Sequence, residues 1–358
     1  MKIDDKTSHN SPSLRFPEFT GEWEECKIED ITDAVSSGKS KNHFSNGEYN
    51  LYGSTGIIGR TDKALYDGKL VLVARVGANA GFLQIINEPC GITDNTLILK
   101  PKGIDAFYLY YFLQHFNLNR LIFGSGQPLI TGGMLKKVKV SLGTISEQSK
   151  IVKFLSLLDE RIAVQSRLIE DLKKLRCAVS NKLFQSVKGV VIPLSGISNI
   201  VKGKQINGDF LAEVGEYYVM NGGTEPSGYY DNYNVEANTI SISEGGNSCG
   251  YVQFNRMPFW SGGHCYTIQD IVSDVETLYL YHYLKSKEDS IMKLRIGTGL
   301  PNIQKKDLAE FKVIIPAIEQ QRTISNILSL LERKTEIEGR MLIAMRTEKQ
   351  YLLHQMFI

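Results

Sequence analysis

The sequence predicts an α+β protein with pseudo-twofold organisation: two β-rich domains in tandem and two long helices packed as an antiparallel coiled coil. Two observations predict this fold class, an internal repeat and a pair of long segments with apolar residues at coiled-coil spacing. A chain of 358 residues is long enough for two or three domains. The predicted organisation is a flexible N-terminal tail at 1–20, a first domain at 21–143, a long helix at 144–187, a second domain at 188–316 and a second long helix at 317–358.

The internal repeat appears when the chain is shifted by 173 residues. Residues 124–185 then align with 297–358 without a gap, and 16 of the 62 aligned positions are identical. Two upstream segments match at slightly smaller shifts, 71–82 with 240–251 and 107–114 with 278–285. Because the shift changes only upstream, each half combines a variable front portion with a rigid back portion.

The back portions are predicted to be long helices. The segment Glu147–Gln185 contains neither Pro nor Gly, its apolar residues follow a 4-3 spacing, and Thr144 with Glu147 forms a capping-box pattern. The second copy begins after Pro316. A globular domain cannot bury a stripe along a helix of roughly 58 Å, so we expect the two helices to bury each other. The alternative is two independent homodimerisation helices.

The front portions, residues 24–123 and 190–296, are predicted to be mostly β-structure, because short apolar runs alternate with Gly, Asn, Asp and Ser. The clearest predicted strands are Leu70–Val73, Thr96–Leu99, Thr239–Ile242 and Tyr251–Phe254. Two aromatic-rich segments, Phe107–Phe116 and Leu278–Leu284, are predicted to be short helices. We expect their rings to belong to the core rather than to a base-stacking platform.

The loops of both front portions carry the candidate ligand-binding side chains. Lys and Arg suit phosphates, while Arg, Asn and Gln suit base edges. The candidates in the first domain are Lys39, Lys41, Asn42, Arg60, Lys63, Arg75 and Asn79. The candidates in the second domain are Lys202, Lys204, Gln205, Asn207, Tyr230, Asn232 and Asn247. Ordinary solvated turns are the alternative interpretation for any single one of them.

Composition and motifs argue against an enzyme, a metal protein and a membrane protein. The formal net charge is only +2, no run of 18 apolar residues occurs, and the five cysteines form no CxxC pair. The six histidines form no HxH or HxxxH pair, and SSGKS at 36–40 lacks the first glycine of a phosphate-binding loop. We therefore expect a cytoplasmic binding or assembly protein without a cofactor or metal of its own.

The layout resembles the specificity subunit family of type I restriction-modification systems over essentially the whole chain. The residues that carry the resemblance are Leu14–Phe19 with Trp23, then Gly124, Gly126, Pro128, Glu147 and Gln148, and their second occurrence Gly297, Gly299, Pro301, Glu319 and Gln320. The doubled motif, with a long helix after each copy, is more specific than any single motif. One departure is Gly143-Thr144 at the first helix entry, where the second copy has Pro316-Ala317.

The resemblance implies a non-catalytic DNA-binding subunit. Each front portion would be a target recognition domain that reads one half of a bipartite, asymmetric site in double-stranded DNA. The helices would set the spacer and dock two modification (methyltransferase) subunits, and restriction/translocase subunits would join the full complex. S-adenosylmethionine, ATP and Mg²⁺ would be bound by those partners. The alternative left open is a two-module scaffold on a coiled-coil bracket that binds a ligand other than DNA.

Overall fold

The computed structural model describes residues 10–41, 47–122, 128–297 and 301–358. The chain divides into two compact units. Unit 1 contains the residues up to Ser166 together with Met341–Ile358, and unit 2 contains Arg167–Arg340. Each unit thus combines one β-rich domain with a part of each long helix.

The described part of unit 1 contains nine strands in three small sheets. The strands are β1 (Glu24–Lys27), β2 (Thr32–Ser37), β3 (Tyr49–Gly53), β4 (Gly56–Thr61), β5 (Lys69–Ala74), β6 (Leu83–Asn87), β7 (Cys90–Ile92), β8 (Thr96–Pro101) and β9 (Lys139–Leu142). The helices are α1 (Ala106–Phe116), α2 (Gly132–Lys136) and α3 (Ile145–Ser186), which continues into unit 2. The sheet orders are β2-β8-β5-β6, β4-β3-β7 and β1-β9, and only β3 and β7 pair in parallel.

Unit 2 repeats this topology strand for strand. Its strands are β10 (Val190–Pro193), β11 (Asn199–Lys202), β12 (Tyr217–Met220), β13 (Tyr229–Tyr230), β14 (Thr239–Ser243), β15 (Val252–Asn255), β16 (Trp260–Ser261), β17 (Cys265–Gln269) and β18 (Lys312–Ile315). Its helices are α4 (Thr277–Ser286), α5 (Glu288–Met292), α6 (Lys305–Ala309) and α7 (Ile318–Met356), which continues into unit 1. The sheet orders are β11-β17-β14-β15, β13-β12-β16 and β10-β18. The predicted fold class is confirmed.

The aromatic helices α1 and α4 are core elements, as predicted. Their N-terminal turns are capped by acidic side chains at equivalent positions, Asp105 and Glu276. Tyr108 and Tyr279 are fully buried, and their hydroxyls donate to backbone carbonyls of β9 and β18 at 2.9 and 2.7 Å. Because a buried phenol needs a partner, this repeated bond fixes each helix against its two-stranded sheet.

The long helices pack against each other in each unit. In unit 1 the start of α3 lies beside the end of α7, and Lys349 Nζ lies 2.6 Å from an Asp159 carboxylate oxygen. In unit 2 the end of α3 lies beside the start of α7, and Arg176 Nη1 lies 3.1 Å from Glu332. The acids are 173 residues apart, and so are the bases. The helices are therefore antiparallel partners within one chain rather than independent dimerisation helices.

Candidate nucleic-acid interface and helix entries

In unit 1, three loops meet around the turn at residues 93–96, here called turn cluster 1. The Gly38 amide donates to Thr96 O at 3.0 Å and the Arg75 amide donates to Asn95 O at 2.9 Å. The Ser54 hydroxyl donates to the same Asn95 carbonyl at 3.3 Å. The loops after β2 and β5 and the β3–β4 hairpin therefore form one polar surface.

In unit 2, the equivalent loops meet around residues 262–265, here called turn cluster 2. The Gly203 amide donates to Cys265 O and the Glu244 amide donates to His264 O, both at 2.9 Å. The Asn221 side chain accepts the His264 amide at 3.2 Å. The backbone frame is thus the same in both units, although the side chains that it presents differ.

Lys39 and Lys204 occupy equivalent exposed positions in these clusters. Each follows a glycine packed against the backbone of its cluster, since a Cβ at Gly38 would lie 2.3 Å from Thr93 O and one at Gly203 would lie 2.2 Å from Gly262 O. The close approach of these glycines presents each lysine at the edge of its cluster. Such an exposed ammonium suits a phosphate contact.

The structure brings Lys39, Lys41 and Lys63 together, because all three line one shallow pocket beside β4. Asn42 lies outside the described residues. Asn79 is exposed in the turn after β5, where its carbonyl accepts the Phe82 amide at 2.9 Å. Three of the predicted cations of unit 1 therefore lie at one edge of its β-structure, together with Asp62.

Two predicted cations are used inside the fold. Arg60 donates from Nε and Nη2 to the carbonyls of Gly47 and Glu48, both at 2.7 Å, and so holds the start of β3. Lys202 Nζ donates to a carboxylate oxygen of buried Glu244 at 2.7 Å. Because their charges already have local partners, these side chains offer less to a phosphate than Lys39 or Lys204.

The polar candidates of unit 2 divide between local turns and the surface. Asn207 and Asn232 accept backbone amides within their own turns, at 3.3 and 2.8 Å. Gln205 and Asn247 are exposed. Tyr230 stacks edge-to-face on Trp260 with ring centroids 5.2 Å apart.

The indole of Trp260 donates to Lys204 O at 2.9 Å, so an aromatic pair supports the Lys204 loop. Sequence reasoning did not select Trp260. Nothing in the local pattern around this tryptophan indicates the loop that it contacts, because its partner is 56 residues away.

The doubled glycine–proline motif holds the loop after β5 or β14 in each unit. The Pro128 carbonyl accepts the Gly77 amide at 3.0 Å, and the Pro301 carbonyl accepts the Gly246 amide at 3.0 Å. Gly297 is exposed with φ +101°, which suits glycine. Gly124, Gly126 and Gly299 lie outside the described residues. The described part of the motif therefore positions a loop of each turn cluster.

At the first helix entry, the Glu147 carboxylate is fully buried and paired with Arg15. The Arg15 guanidinium donates from Nε and Nη2 to the two carboxylate oxygens at 2.6 and 2.8 Å. The Thr144 hydroxyl accepts the Glu147 amide at 3.3 Å, as the capping-box pattern predicts. The bidentate pair compensates a charge that would be costly to bury alone.

Residues 10–19 make defined contacts although they were expected to belong to a flexible tail. The Leu14 amide donates to Gln355 O at 2.9 Å, and the Phe16 ring packs edge-on against Phe154 at 6.1 Å. Lys150 Nζ lies 4.6 Å from the Phe16 centroid. The physical reason is the buried Glu147 carboxylate, which needs a cation from this segment.

A buried glutamine marks both helix entries. Gln148 Nε2 donates to Gly143 O and Gln321 Nε2 donates to Pro316 O, each at 2.9 Å. Sequence reasoning did not select Gln321, although the shift of 173 residues places it on Gln148.

The residues selected for the second helix entry, Glu319 and Gln320, are exposed in the first turn of α7. Position 320 corresponds to Glu147. The second helix entry therefore needs no buried cation of the kind that Arg15 provides.

The described residues contain no group of three or more His, Cys, Asp and Glu side chains placed to hold a metal ion. They also contain no helix that combines the length and hydropathy needed to span a bilayer.

Comparison with known proteins gives matches over most of the chain. Residues 20–174 and 187–344 each match the family model of the type I restriction modification DNA specificity domain. The chain is 26% identical over 333 residues to a type I specificity subunit of Mycoplasma genitalium, which covers 87% of each chain. It is 31% identical over 166 residues to a type I specificity subunit of Mycoplasma pneumoniae, which covers 46% of this chain and 44% of the relative.

One solved structure has a similar fold. The crystal structure of the type I restriction-modification S subunit from M. genitalium matches with a TM-score of 0.73 at 23% identity. The match covers 97% of this chain and 99% of that chain. It supports the tandem arrangement of two α+β domains with long helices.

Proposed function

Because the chain belongs to the type I restriction modification DNA specificity family, we propose that each of its units reads one half of a bipartite, asymmetric site in double-stranded DNA. The observation that carries this proposal is the pair of turn clusters. The same backbone frame presents Arg75 in unit 1 and Glu244 in unit 2. Two turn clusters with the same backbone structure but different side chains are suited to recognise two different half-sites.

The two long helices are the proposed docking sites for two modification subunits. Three exposed apolar side chains of α3 in unit 1 have exposed apolar counterparts 173 residues later on α7 in unit 2. The pairs are Phe154 with Ile327, Leu157 with Leu330, and Val164 with Ile337. Exposed apolar stripes of this kind favour helical partners, and their repetition favours two copies of one partner.

The remaining parts of the proposal concern the whole complex. Restriction/translocase subunits would join it, and S-adenosylmethionine, ATP and Mg²⁺ would bind to the partners. This chain would contribute recognition rather than a reacting group, in the cytoplasm. Its net charge of +2 agrees with a subunit that shares the phosphate contacts with its partners.

Domain exchange tests the reading of half-sites. Residues 1–123 are replaced by the corresponding segment of a relative, and the methylated sites of the host genome are sequenced. We expect one half-site to change and the other to persist, because each unit carries its own turn cluster. The reciprocal exchange of residues 190–296 should change only the other half-site. A change of both half-sites in either exchange would contradict the proposal. If the wild-type complex with its methyltransferase partner shows no salt-dependent DNA binding, a scaffold for another ligand is favoured instead.

The spacer proposal has a separate test. Four residues, about one helical turn and about 6 Å, are inserted after Arg167 and after Arg340, which are equivalent exposed positions of the two helices. The spacer should lengthen by about one or two base pairs at 3.4 Å each, with both half-sites unchanged. The control inserts four residues at Gly103, an exposed turn, and should leave the spacer as it was. An unaltered spacer in the helix variant would show that the helices do not set it.

A further inference from the structure

Arg75 and Glu244 hold the same place in the two units. Both amides donate to a turn cluster, and both carbonyls accept an amide from the strand-like segment after the proline motif, Ile130 N and Ile303 N, each at 2.8 Å. The position is therefore fixed by backbone bonds that do not depend on its side chain. One unit nevertheless carries a cation there and the other an anion.

Each side chain contains a buried polar atom without a hydrogen-bond partner among the described residues. These atoms are Arg75 Nε and Glu244 Oε2. Unsatisfied buried groups are rare in native folds and often mark a functional site. Their occurrence at the same position in both units points to a ligand that completes them.

The surroundings of Glu244 leave one carboxylate oxygen, Oε2, without a hydrogen bond from the described residues. Its Oε1 accepts Lys202 Nζ at 2.7 Å and the Tyr266 hydroxyl at 3.0 Å. The Nδ1 atom of His264 lies 3.7 Å from Oε2, beyond hydrogen-bond distance. The His264 side chain is 63% exposed, so the buried Oε2 lies next to a surface side chain.

The Arg75 guanidinium has one side-chain partner among the described residues. Its Nη1 donates to the Ser37 hydroxyl at 3.4 Å, which is a long hydrogen bond. Ser37 ends β2, two residues before Lys39. Arg75 therefore contacts the end of β2 two residues before Lys39, and Glu244 contacts the end of β11 at Lys202, two residues before Lys204.

The chemistry of base edges fits these two groups. A guanidinium donates to O6 and N7 of guanine, whereas a carboxylate accepts from an exocyclic amino group, N4 of cytosine or N6 of adenine. We propose that Arg75 and Glu244 are the corresponding specificity-determining residues of the two units, Arg75 for a guanine and Glu244 for an amino-bearing base. This inference rests on the proposed reading of one half-site by each unit.

A purely structural role for Glu244 accounts for only one of its two carboxylate oxygens. The ion pair with Lys202 engages only Oε1, so it leaves Oε2 unexplained. Unit 1 builds the same backbone frame with an arginine at this place. The fold of the cluster does not require a carboxylate.

The test uses R75Q and E244Q in the complex with the methyltransferase subunits, with the methylated motif read by sequencing. R75Q should lose the preference for guanine at one position of one half-site, by about 5- to 150-fold. E244Q tests one position of the other half-site. Because Gln pairs with adenine, the base preference at that position should persist if the base is adenine and disappear if it is cytosine.

Controls separate base reading from stability and from the proposed function itself. R120Q and E310Q alter exposed charges elsewhere in the two units and should leave the motif unchanged. R75K and E244D retain the charges without the contact geometry and should lose the same preferences, even where a glutamine variant fails to fold. If all four variants at positions 75 and 244 keep the wild-type motif, or only weaken methylation evenly, this inference is overturned. If the wild-type complex methylates no bipartite site, the proposed function fails instead.

Discussion

Unit 1 and unit 2 share a frame and differ in what the frame presents. The phenols of Tyr108 and Tyr279 make the same buried hydrogen bond, and the strands pair in the same order. The turn clusters, in contrast, place Arg75 in one unit and Glu244 in the other. The comparison teaches that backbone hydrogen bonds preserve the loops while the side chains on them are free to diverge.

The helix entries teach a second lesson. Gln148 and Gln321 make the same bond to a carbonyl five residues earlier. The neighbouring position is the buried Glu147 in unit 1 and the exposed Gln320 in unit 2. Only Glu147 carries a buried charge, and that charge must be compensated by a cation. The first helix entry therefore requires Arg15, whereas the second has no such requirement.

The largest expected effect is a loss of stability in one unit at a time, caused by removing one of two equivalent phenylalanines, Phe357 in unit 1 and Phe184 in unit 2. Phe357 packs against Trp23, Tyr108 and Phe112 in unit 1, although it is next to last in the sequence. Phe357→Ala should lower the free energy of unfolding of unit 1 by about 3–5 kcal/mol, because it leaves a cavity in the core. Urea unfolding in a Trp260→Phe background, followed by Trp23 fluorescence, reports this unit.

The matched variant is Phe184→Ala, which removes a ring packed against Tyr279 and Tyr283. Its loss of about 3–5 kcal/mol should appear in unit 2, followed by Trp260 fluorescence in a Trp23→Phe background. Each variant is also made in the other single-tryptophan background. Equal shifts of the Trp23 and Trp260 signals for both variants would mean that the two units unfold as one.

The next effect is a pH dependence of unit 2. Burial, reinforced by the cations Arg176 and Arg256, lowers the pKa of His282 to about 4. The unfolded chain binds a proton near pH 6.5, so it holds more protons than the folded chain between pH 6.5 and 4. The free energy of unfolding should therefore fall by about 2 kcal/mol from pH 7 to pH 5.

Unit 1 provides the control for this prediction. Its counterpart of His282 is Tyr111, which does not titrate in this range because burial raises its pKa. His282→Tyr should therefore remove most of the pH dependence of unit 2. Burial also lowers the pKa of His115 in unit 1, but this side chain is only half-buried, so a smaller slope is expected there. An unchanged slope in His282→Tyr would assign the pH dependence to other groups.

The internal repeat predicted the order of the domains and long helices. It did not predict which charged side chains form ion pairs within the fold. Strand runs such as Leu70–Val73 and the extent of the two long helices follow from apolar periodicity, which is a local property. The engagement of Lys202 by Glu244 joins residues 42 positions apart, and that of Glu147 by Arg15 joins residues 132 apart. No local pattern encodes such pairs. The sequence therefore indicated candidate DNA-binding cations but not which of them already have an ion-pair partner within the fold.

The smallest expected effect is a loss of one phosphate contact, and it tests whether Lys39 and Lys204 contact DNA in the same way. Lys39 and Lys204 each follow a glycine packed into a turn cluster. Lys39→Ala and Lys204→Ala should each weaken DNA binding evenly across sequences and lower the salt slope by about one, because each removes one phosphate contact. Titration of the assembled complex with DNA at several salt concentrations measures both effects.

The control is Lys136→Ala, which replaces an exposed lysine on α2 and should leave the salt slope unchanged. A change in base preference at either position would mean that this lysine reads a base, and unequal slopes would mean that the two clusters approach the backbone differently.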